Sequence, residues 1–524
     1  LDVREIMRVN VDQFAGIEYD EFPARIAEVA MWLIDHQMNL KVSNEFGQYF
    51  ARLPLMKAAK IVHGNALRVD WADVVPKEEL SYILGNPPFV GAKFLTEEQK
   101  SDVAFVFNDI SSSGILDYVS CWYRKSVDLM TKNPQIRTAL VSTNSITQGE
   151  QVSTLWGDLL NRGLKIHFAH RTFQWSNEAR GNAAVHCVII GFGLFDVPSK
   201  WLFEYDTLKS EPHILKSKHI NPYLIEASDI IVQGRMVPLC EVPPIVNGSI
   251  PADGGNLILE PDEKESLLEK DPDAAQWIRV YLGGEGFINN ITRHCLWLIN
   301  CAPEQLRKMP EVMKRISAVK EMRLASAKAA TREKANYPSL FTENRQPTAG
   351  NYLAIPRTSS ENRRYIPFGF LSAQVVAAND LQLVPNASVF HFGILSSIMH
   401  MVWVKVTAGR LKSDYRYSTK FTYNTFPWPQ IISSQKKKVE EAAQAVLDAR
   451  AKYPSSSLAD LYHPVTMPPD LVKAHQALDK AVDLCYRPQA FGSELVRIEY
   501  LFGLYEQYTA PMFGGASVKG KKAK

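Results

Sequence analysis

Cysteine is scarce in this chain: six residues in 524, too few for a disulfide framework. They stand at Cys121, Cys187, Cys240, Cys295, Cys301 and Cys485, and no two form a CxxC pair, so a cysteine zinc site is not expected. Histidines are scattered; His167, His170 and His186 fall in strand-like segments and read as strand or core residues rather than metal ligands. No apolar run reaches the roughly 18 to 20 residues that span a bilayer, and no secretory signal opens the chain. Reduced thiols and these absences together point to the cytoplasm. A strong charge excess is also missing: 59 Lys and Arg stand against 56 Asp and Glu, a formal +3. A uniformly basic coat is thereby excluded, whereas a local basic surface is not. Motifs for metal-dependent hydrolysis, phosphate transfer and Ser-His-Asp chemistry are absent, as are internal repeats.

What remains is ordinary globular material, 46% hydrophobic and 22% charged, long enough at roughly 150 residues per domain for two to four domains. Short apolar strands are expected up to Glu18, at Ala59–Val62, Ser81–Leu84, Thr138–Ser142, Ile166–His170 and Ala184–Phe192. Helical patterns separate several of them: one with Pro23 in its first turn and apolar residues at 26, 29, 30, 33 and 34, another over 115–131. The alternation predicts a parallel or mixed α/β sheet. Composition shifts near residue 200, after which Pro, Gly and Asn increase and the pattern gives one long helix over 303–336. Helical periodicity returns over 433–452 and 468–508.

The sharpest local signal is Gly85-Asn86-Pro87-Pro88-Phe89, directly after the third strand. A pattern of Asn, Asp or Ser followed by Pro-Pro-aromatic arises by chance in about 2% of chains of this length. Asn-Pro and Pro-Pro also make rigid turns. The position at a strand's carboxyl end is where open α/β sheets hold ligands. The motif resembles the catalytic loop of S-adenosylmethionine-dependent amino-methyltransferases, and the chemistry fits the residue types. An exocyclic amine such as adenine N6 is a poor nucleophile because its lone pair is delocalised. The Asn86 side-chain oxygen and the Pro87 carbonyl can each accept one N6 hydrogen and favour a more tetrahedral nitrogen. The prolines hold both acceptors in place, and Phe89 offers a stacking face. A base inside a duplex must first be flipped out.

Taken with further segments, the sequence resembles the MmeI-like type IIL (type IIG-related) restriction–modification proteins. The resemblance runs from about residue 14 to 508. It rests on Gly-Ile-Glu at 16–18, His-Gly-Asn-Ala-Leu at 63–67, the motif at 85–89 and Ser-Thr-Asn-Ser-Ile-Thr-Gln-Gly at 142–149. It continues through Asp-Gly-Gly-Asn-Leu at 253–257, Ser-Ser-Glu-Asn-Arg-Arg-Tyr-Ile-Pro at 359–367 and Tyr-Asn-Thr-Phe-Pro-Trp-Pro at 423–429. It implies an α/β fold. A partial class I methyltransferase sheet lacking its first βα unit would occupy 1–200, and a mixed α+β target-recognition domain 201–430. C-terminal helices would occupy 431–510 and a disordered basic tail 511–524. It also implies catalysis by Asn86, Pro87, Pro88 and Phe89, and cofactor binding by Glu18 on the ribose hydroxyls, by Asn65 on the adenine and by Asn86. Asn65 stands where such enzymes usually carry Asp, which weakens that assignment. Stacking on the flipped base would fall to Phe89 with Phe173 or Trp175, though aromatics at 173 and 175 equally suit an α/β core. Asp117 and Tyr118 match the helix beneath the catalytic loop and suit either packing or cofactor contact. The glycine-rich cofactor loop of such enzymes, Asp-Pro-x-x-Gly-x-Gly, has no match before Glu18. The resemblance therefore implies an N-terminally truncated methyltransferase with S-adenosylmethionine binding weakened or lost, no nuclease, and double-stranded DNA as partner.

Between 303 and 336 nine Lys and Arg outnumber four Glu, a face for phosphates or a solvated surface. Arg357, Arg363, Arg364, Arg410, Lys412, Asp414 and Arg416 form a second, sharper set of candidate DNA-reading residues. Lys412 and Asp414, two apart on an extended segment, would point the same way. They would read one G·C pair through guanine O6/N7 and cytosine N4; a surface ion pair is the plainer alternative. Function is expected to be sequence-specific DNA adenine-N6 methylation, as the modification and specificity part of a restriction–modification protein. The alternative is a catalytically inert DNA-binding specificity fragment. Methylation of a protein glutamine amide ranks last, since those enzymes are shorter and lack a basic appendage.

Overall fold

The computed structural model describes residues 8–47, 58–175, 185–207, 209–411 and 413–513, with the side chains of Trp175 and 511–513 outside the description. The chain forms two compact units, one of residues 1–147 and 151–231, the other of 148–150 and 232–524.

In the first unit, β1 (Ala15–Glu18) pairs in parallel with β2 (Lys60–His63), Glu18 opposite His63. Between them runs α1 (Glu21–Phe46), ended by Gly47 in the left-handed conformation at φ 65°. The periodic apolar residues of α1 do not form a buried stripe: Phe22, Ile26, Val29, Leu33 and Phe46 are all more than half exposed, and only Ala24 and Asn39 are buried. A second sheet has the order β3-β4-β6-β5-β7-β8, with strands β3 (Tyr82–Gly85), β4 (Arg137–Thr143), β5 (Lys165–Trp175), β6 (Val185–Gly193), β7 (Lys200–Tyr205) and β8 (Pro212–Ser217). β3–β4 and β5–β7 are parallel and the other pairs antiparallel, so the sheet is mixed.

The register of β5 on β6 shifts twice, and at Gly191 a Cβ would meet the Phe168 ring at 2.1 Å, so only glycine lets that ring lie across the strand. Behind the sheet, α3 (Ser120–Met130) buries Cys121, Tyr123, Val127 and Met130, each large apolar side chain contributing about 1.5–3 kcal/mol. Tyr123 keeps its buried hydroxyl bonded to Ser142 Oγ at 2.7 Å. The compositional boundary at 200 falls inside this sheet, which continues through β8. Asp229 joins the unit by accepting from Lys165 Nζ (3.0 Å) and His219 Nε2 (2.9 Å).

The second unit is built from small sheets and buried helices. β10 (Ile278–Leu282) and β11 (Arg293–Leu296) lie in a four-stranded sheet of order β15-β10-β11-β9, with β9 at Ile258–Leu259 and β15 at Val376–Ala377. β12 (Asn351–Pro356) is the centre of a three-stranded antiparallel sheet, between β14 (Gly369–Ser372) and β16 (Leu381–Pro385). Burial of Tyr352, Leu353, Ala354 and Ile355 along β12 is complete.

The expected long helix over 303–336 is instead a set of short ones: 303–307, α5 (Pro310–Leu324), and 329–333 with a final 3-10 turn. Pro310 starts α5 because it has no N–H to continue a preceding turn. Beyond Leu324 the buried Arg323 guanidinium gathers the carbonyls of Pro251, Ala252, Lys334, Tyr337 and Leu340, which folds the chain back. α6 (Ile398–Thr407) is apolar on every side and buried. The C-terminal region holds α7 (Ser433–Ala451), α8 (Pro469–Tyr486) and α9 (Glu494–Phe513). The expected continuous periodicity over 468–508 breaks at 487–493, where Pro488 and Gly492 stand. α9 carries helix to 513, inside the segment expected as basic tail; residues 514–524 lie outside the described residues.

Candidate active site and nucleic-acid interface

The loop at 86–89 leaves the carboxyl end of β3. Pro87 is buried, Asn86 and Pro88 are exposed and Phe89 is half-buried. The Val90 N–H donates to the Pro88 carbonyl at 3.2 Å, closing a tight turn. Among the described residues none hydrogen-bonds the Asn86 side chain. The loop is held from below. Asp117 accepts from the Ala92 N–H (2.9 Å) and from Ser145 Oγ (2.5 Å), and its own N–H donates to Gln151 Oε1 at 3.0 Å. The Tyr118 N–H donates to the Val90 carbonyl at 2.9 Å. Of the two roles open to Asp117 and Tyr118, these bonds serve the support of the loop.

Glu18 closes β1. Its carboxylate accepts the Tyr19 N–H at 3.0 Å, and its carbonyl accepts from Gly64 at 2.8 Å, which fastens the ends of β1 and β2. Asn65 follows directly. Its Oδ1 accepts the Leu67 N–H at 2.9 Å and its Nδ2 donates to Asp102 Oδ2 at 3.0 Å, so the amide orientation is set by both partners.

Asp102 is the residue that the motifs did not reveal. It sits on α2 (Glu97–Val106), whose Thr96–Gln99 capping box fixes the helix start. Only 1% exposed, it also accepts from Arg68 Nε at 2.6 Å and from Tyr118 Oη at 2.7 Å. Burial pushes its pKa up, but the hydrogen bonds from Tyr118, Asn65 and Arg68 outweigh that and hold it below the usual carboxylate range. Burial and the neighbouring Asp102 both raise the Tyr118 hydroxyl. One turn earlier on α2, Glu98 accepts from Tyr19 Oη at 3.3 Å. A chain of bonds thus joins the residues after β1, after β2 and after β3. No sequence spacing signals it, because its bonded pairs lie 16 to 79 positions apart.

The expected stacking residues fare differently. Phe173 stacks on Tyr205 (5.4 Å between centroids, 26°), beside His170, which stacks on Phe203 at 4.1 Å and bonds Tyr205 Oη through Nδ1 at 2.8 Å. The Phe173 ring is therefore engaged within its own sheet. Trp175 ends β5, and Ser176-Asn177 lies outside the described residues.

In the second unit, β13 (Thr358–Ser359), β17 (Gly409–Leu411) and β18 (Asp414–Arg416) form a small antiparallel sheet of order β13-β18-β17. It brings Arg357, Arg410, Asp414 and Arg416 onto adjacent strands or strand ends. Leu411 pairs with Asp414, so the chain reverses between them. Lys412, the residue expected to act with Asp414, lies outside the described residues. The pair that shares a strand face is Asp414 and Arg416, with Tyr415 between them buried on the other face.

Asp414 accepts from the Glu361 N–H at 3.4 Å. Arg410 lies over the Tyr415 ring at 4.0 Å, donates to the Ser413 carbonyl at 2.9 Å and pairs with Glu361 at 3.8 Å. Burial lowers the pKa of Arg357, helped by repulsion from Arg416 and opposed by Asp380; burial likewise lowers Arg363, opposed by Asp414. Arg364 is exposed and rests over Tyr365 at 5.6 Å. Along 303–336 the expected free cations are partly committed. Arg323 is wholly buried, Arg315 pairs with Glu263 (3.0 Å), Lys314 with Glu311 (2.7 Å), and Arg332 donates to the Ser326 and Ala327 carbonyls.

Comparison with known proteins assigns the chain to a family. The profile of the MmeI DNA-methyltransferase domain matches residues 2–204, that of the MmeI target recognition domain 226–430, and that of the MmeI C-terminal domain 431–513. A methyltransferase domain followed by a target-recognition domain is the class the chain falls in. It belongs to the MmeI family. The solved structure of the type IIL restriction-modification enzyme MmeI in complex with DNA superposes with a TM-score of 0.84 at 49% identity, over 97% of this chain and 68% of that one. DNA methyltransferase A of Bacillus subtilis (strain 168) is 39% identical over 507 residues, 96% of this chain. The chain spans 56% of that relative's length.

Proposed function

We propose that this chain carries the modification and specificity parts of a restriction–modification protein, methylating adenine N6 at a specific sequence in double-stranded DNA. The observation that carries the reading is the loop at the end of β3: an exposed Asn86 side chain, without a hydrogen bond among the described residues, on a Pro-Pro turn clamped by Asp117 and Tyr118. Such a loop is an acceptor pair waiting for a donor. Asn86 Oδ1 and the Pro87 carbonyl take the two amine hydrogens, and Phe89 supplies a ring face for the flipped base. Phe173 and Trp175 are the candidates for the opposite face, Phe173 only with its present stack on Tyr205 retained or broken.

S-adenosylmethionine, when bound, supplies an electrophilic methyl group on sulfur. The residues present fit its polar parts: Glu18 is a half-buried carboxylate at a strand end, suited to two ribose hydroxyls, and Asn65 Oδ1 keeps one lone pair for the adenine amine. Arg357, Arg363, Arg364, Arg410, Lys412, Asp414 and Arg416 are proposed to read and hold the DNA, the exposed Arg364 on phosphate and the Asp414–Arg416 face at base edges. This activity belongs in the cytoplasm, at the nucleoid of a prokaryote.

One observation favours the second reading, an inert specificity fragment. β3 is a parallel strand at the end of its sheet order, and Tyr82 and Leu84 on it are 64% and 77% exposed, whereas parallel strands are normally covered on both faces. A further polypeptide segment covering this edge would then be needed for cofactor binding. Transfer of a labelled methyl group to mixed-sequence DNA separates the readings. Transfer by this chain, abolished by Asn86→Ala, establishes the first. Salt-sensitive DNA binding without transfer establishes the second.

A further inference from the structure

Asp102 is a buried carboxylate that no step of the proposed chemistry uses, yet three donors from two separate segments converge on it: Asn65 Nδ2 and Arg68 Nε from one, Tyr118 Oη from the other. We propose that Asp102 is a positioning residue that couples the cofactor side of the site to the catalytic loop, so that ordering either one orders the other. The proposal rests on the methyl-transfer reading of the Asn86 loop and names a device within it.

Two consequences of the geometry carry it. The first is chemical. An amide side chain can present either its oxygen or its nitrogen. By accepting from Nδ2, the Asp102 carboxylate fixes Asn65 with Oδ1 turned away from it, toward the Leu67 N–H. An acceptor is what an adenine amine requires, and a site that presented Nδ2 instead would repel it. Asp102 thereby decides what Asn65 offers.

The second is mechanical. Tyr118 bonds Asp102 through its hydroxyl and Val90 through its backbone N–H. Neighbouring Asp117 holds Ala92. The path from Asn65 to the loop therefore contains one side chain, Asp102, and one residue, Tyr118, whose two ends grip different parts. Asp102 is itself immobilised. Arg68 clamps it at 2.6 Å, donates a second bond to Ser101 at 2.9 Å, and lies over the Phe105 ring at 4.5 Å. A carboxylate suits the post because it accepts all three donors at once, whereas a neutral amide would turn a donor toward one of them.

A purely structural knot would affect stability but not the mutual influence of the two ligands, and the test separates these. DNA carrying 2-aminopurine at the target adenine reports base unstacking. Its affinity is measured with and without saturating sinefungin, a cofactor analogue with no transferable methyl. The wild type is expected to bind DNA about tenfold more tightly with the analogue present, within the usual range of coupling between sites. Tyr118→Phe keeps the ring against Trp122, 5.4 Å away, and removes only the hydroxyl bond; it should bring that ratio close to one. Asp102→Asn should do the same and weaken the analogue's own binding.

A folded Tyr118→Phe protein with the wild-type ratio overturns the proposal, as does a wild-type ratio of one. Asn86→Ala is run in parallel: if it still transfers methyl groups, the reading of the loop has failed, independently of the ratio.

Discussion

The two units of this protein carry their polar chemistry in opposite ways. In the first, the side chain proposed to act is left open: among the described residues none hydrogen-bonds the exposed Asn86 side chain, while the residues beneath it are held by several hydrogen bonds. In the second, the residues with chemical potential are already engaged. Arg323 spends all its donors on carbonyls, and Arg410 is shared among an aromatic ring, a carbonyl and a carboxylate. The difference teaches how far a charge count can be trusted. The acceptors proposed for methyl transfer, Asn86 and Pro87, adjoin in the chain. The cations proposed to read DNA come from many places, and the fold uses others, such as Arg323, for its own construction.

The strongest way to test the contrast is to remove a cation that the fold has taken for itself. Arg323→Ala leaves five carbonyls without their donor and should destabilise the second unit by about 4 kcal/mol, seen as an early transition in urea or thermal unfolding. If the variant unfolds like the wild type and instead loses affinity for DNA, Arg323 belongs with the readers and the contrast collapses.

Next is the free residue. Asn86→Ala should reduce methyl transfer by a hundredfold or more, about 3 kcal/mol, with stability and DNA affinity nearly unchanged. A large stability loss would mean that Asn86 is part of the scaffold after all.

Asp102 lies between the two cases, and pH sharpens its place. Its carboxyl is held below the usual range in the folded protein, so its stabilisation is present above the ordinary aspartate pKa near 4 and is lost as pH falls through the lower folded value. Asp102→Asn should therefore be less stable than wild type by about 2 kcal/mol at pH 7. The two should converge as the medium is acidified toward pH 3, followed by urea unfolding at each pH.

A smaller effect is expected at the recognition hairpin. Exchanging charge by Lys412→Glu with Asp414→Arg should change the preferred base at one position of the methylated sequence, by roughly 1–3 kcal/mol of discrimination. Sequencing of methylated sites would show it, and an unchanged site would remove both residues from the readers. The smallest effect belongs to the exposed cations around α5. Replacing Lys320 by Ala should lower the salt slope of DNA binding by about 0.9 if the lysine touches a phosphate, and by nothing if it faces only water.

Much of the first unit was legible in the sequence because its signals are local. A short apolar run followed by Gly-Asn-Pro-Pro-Phe gave both β3 and the loop, and the strands β1, β2, β4 and β6 lie within a residue or two of their expected places. Legibility failed where the outcome depends on distant partners. The helix expected over 303–336 had the right periodicity, yet Pro310 and the grip of Arg323 on residues up to 340 broke it into pieces. Nor did the spacing show that Asp414 would pair with Leu411 and share a strand face with Arg416. The apolar positions of α1 were visible, but not that most of them would stay exposed.

The sequence by itself therefore determined the resemblance to the MmeI family and the mixed α/β character, because each is written in contiguous residues or in a short period. Only the tertiary structure decided which polar groups are free to act. Asn65, Arg68, Asp102 and Tyr118 became one network because the fold brought two distant segments to a single buried carboxylate, and a carboxylate removed from water must gather donors from wherever the chain passes.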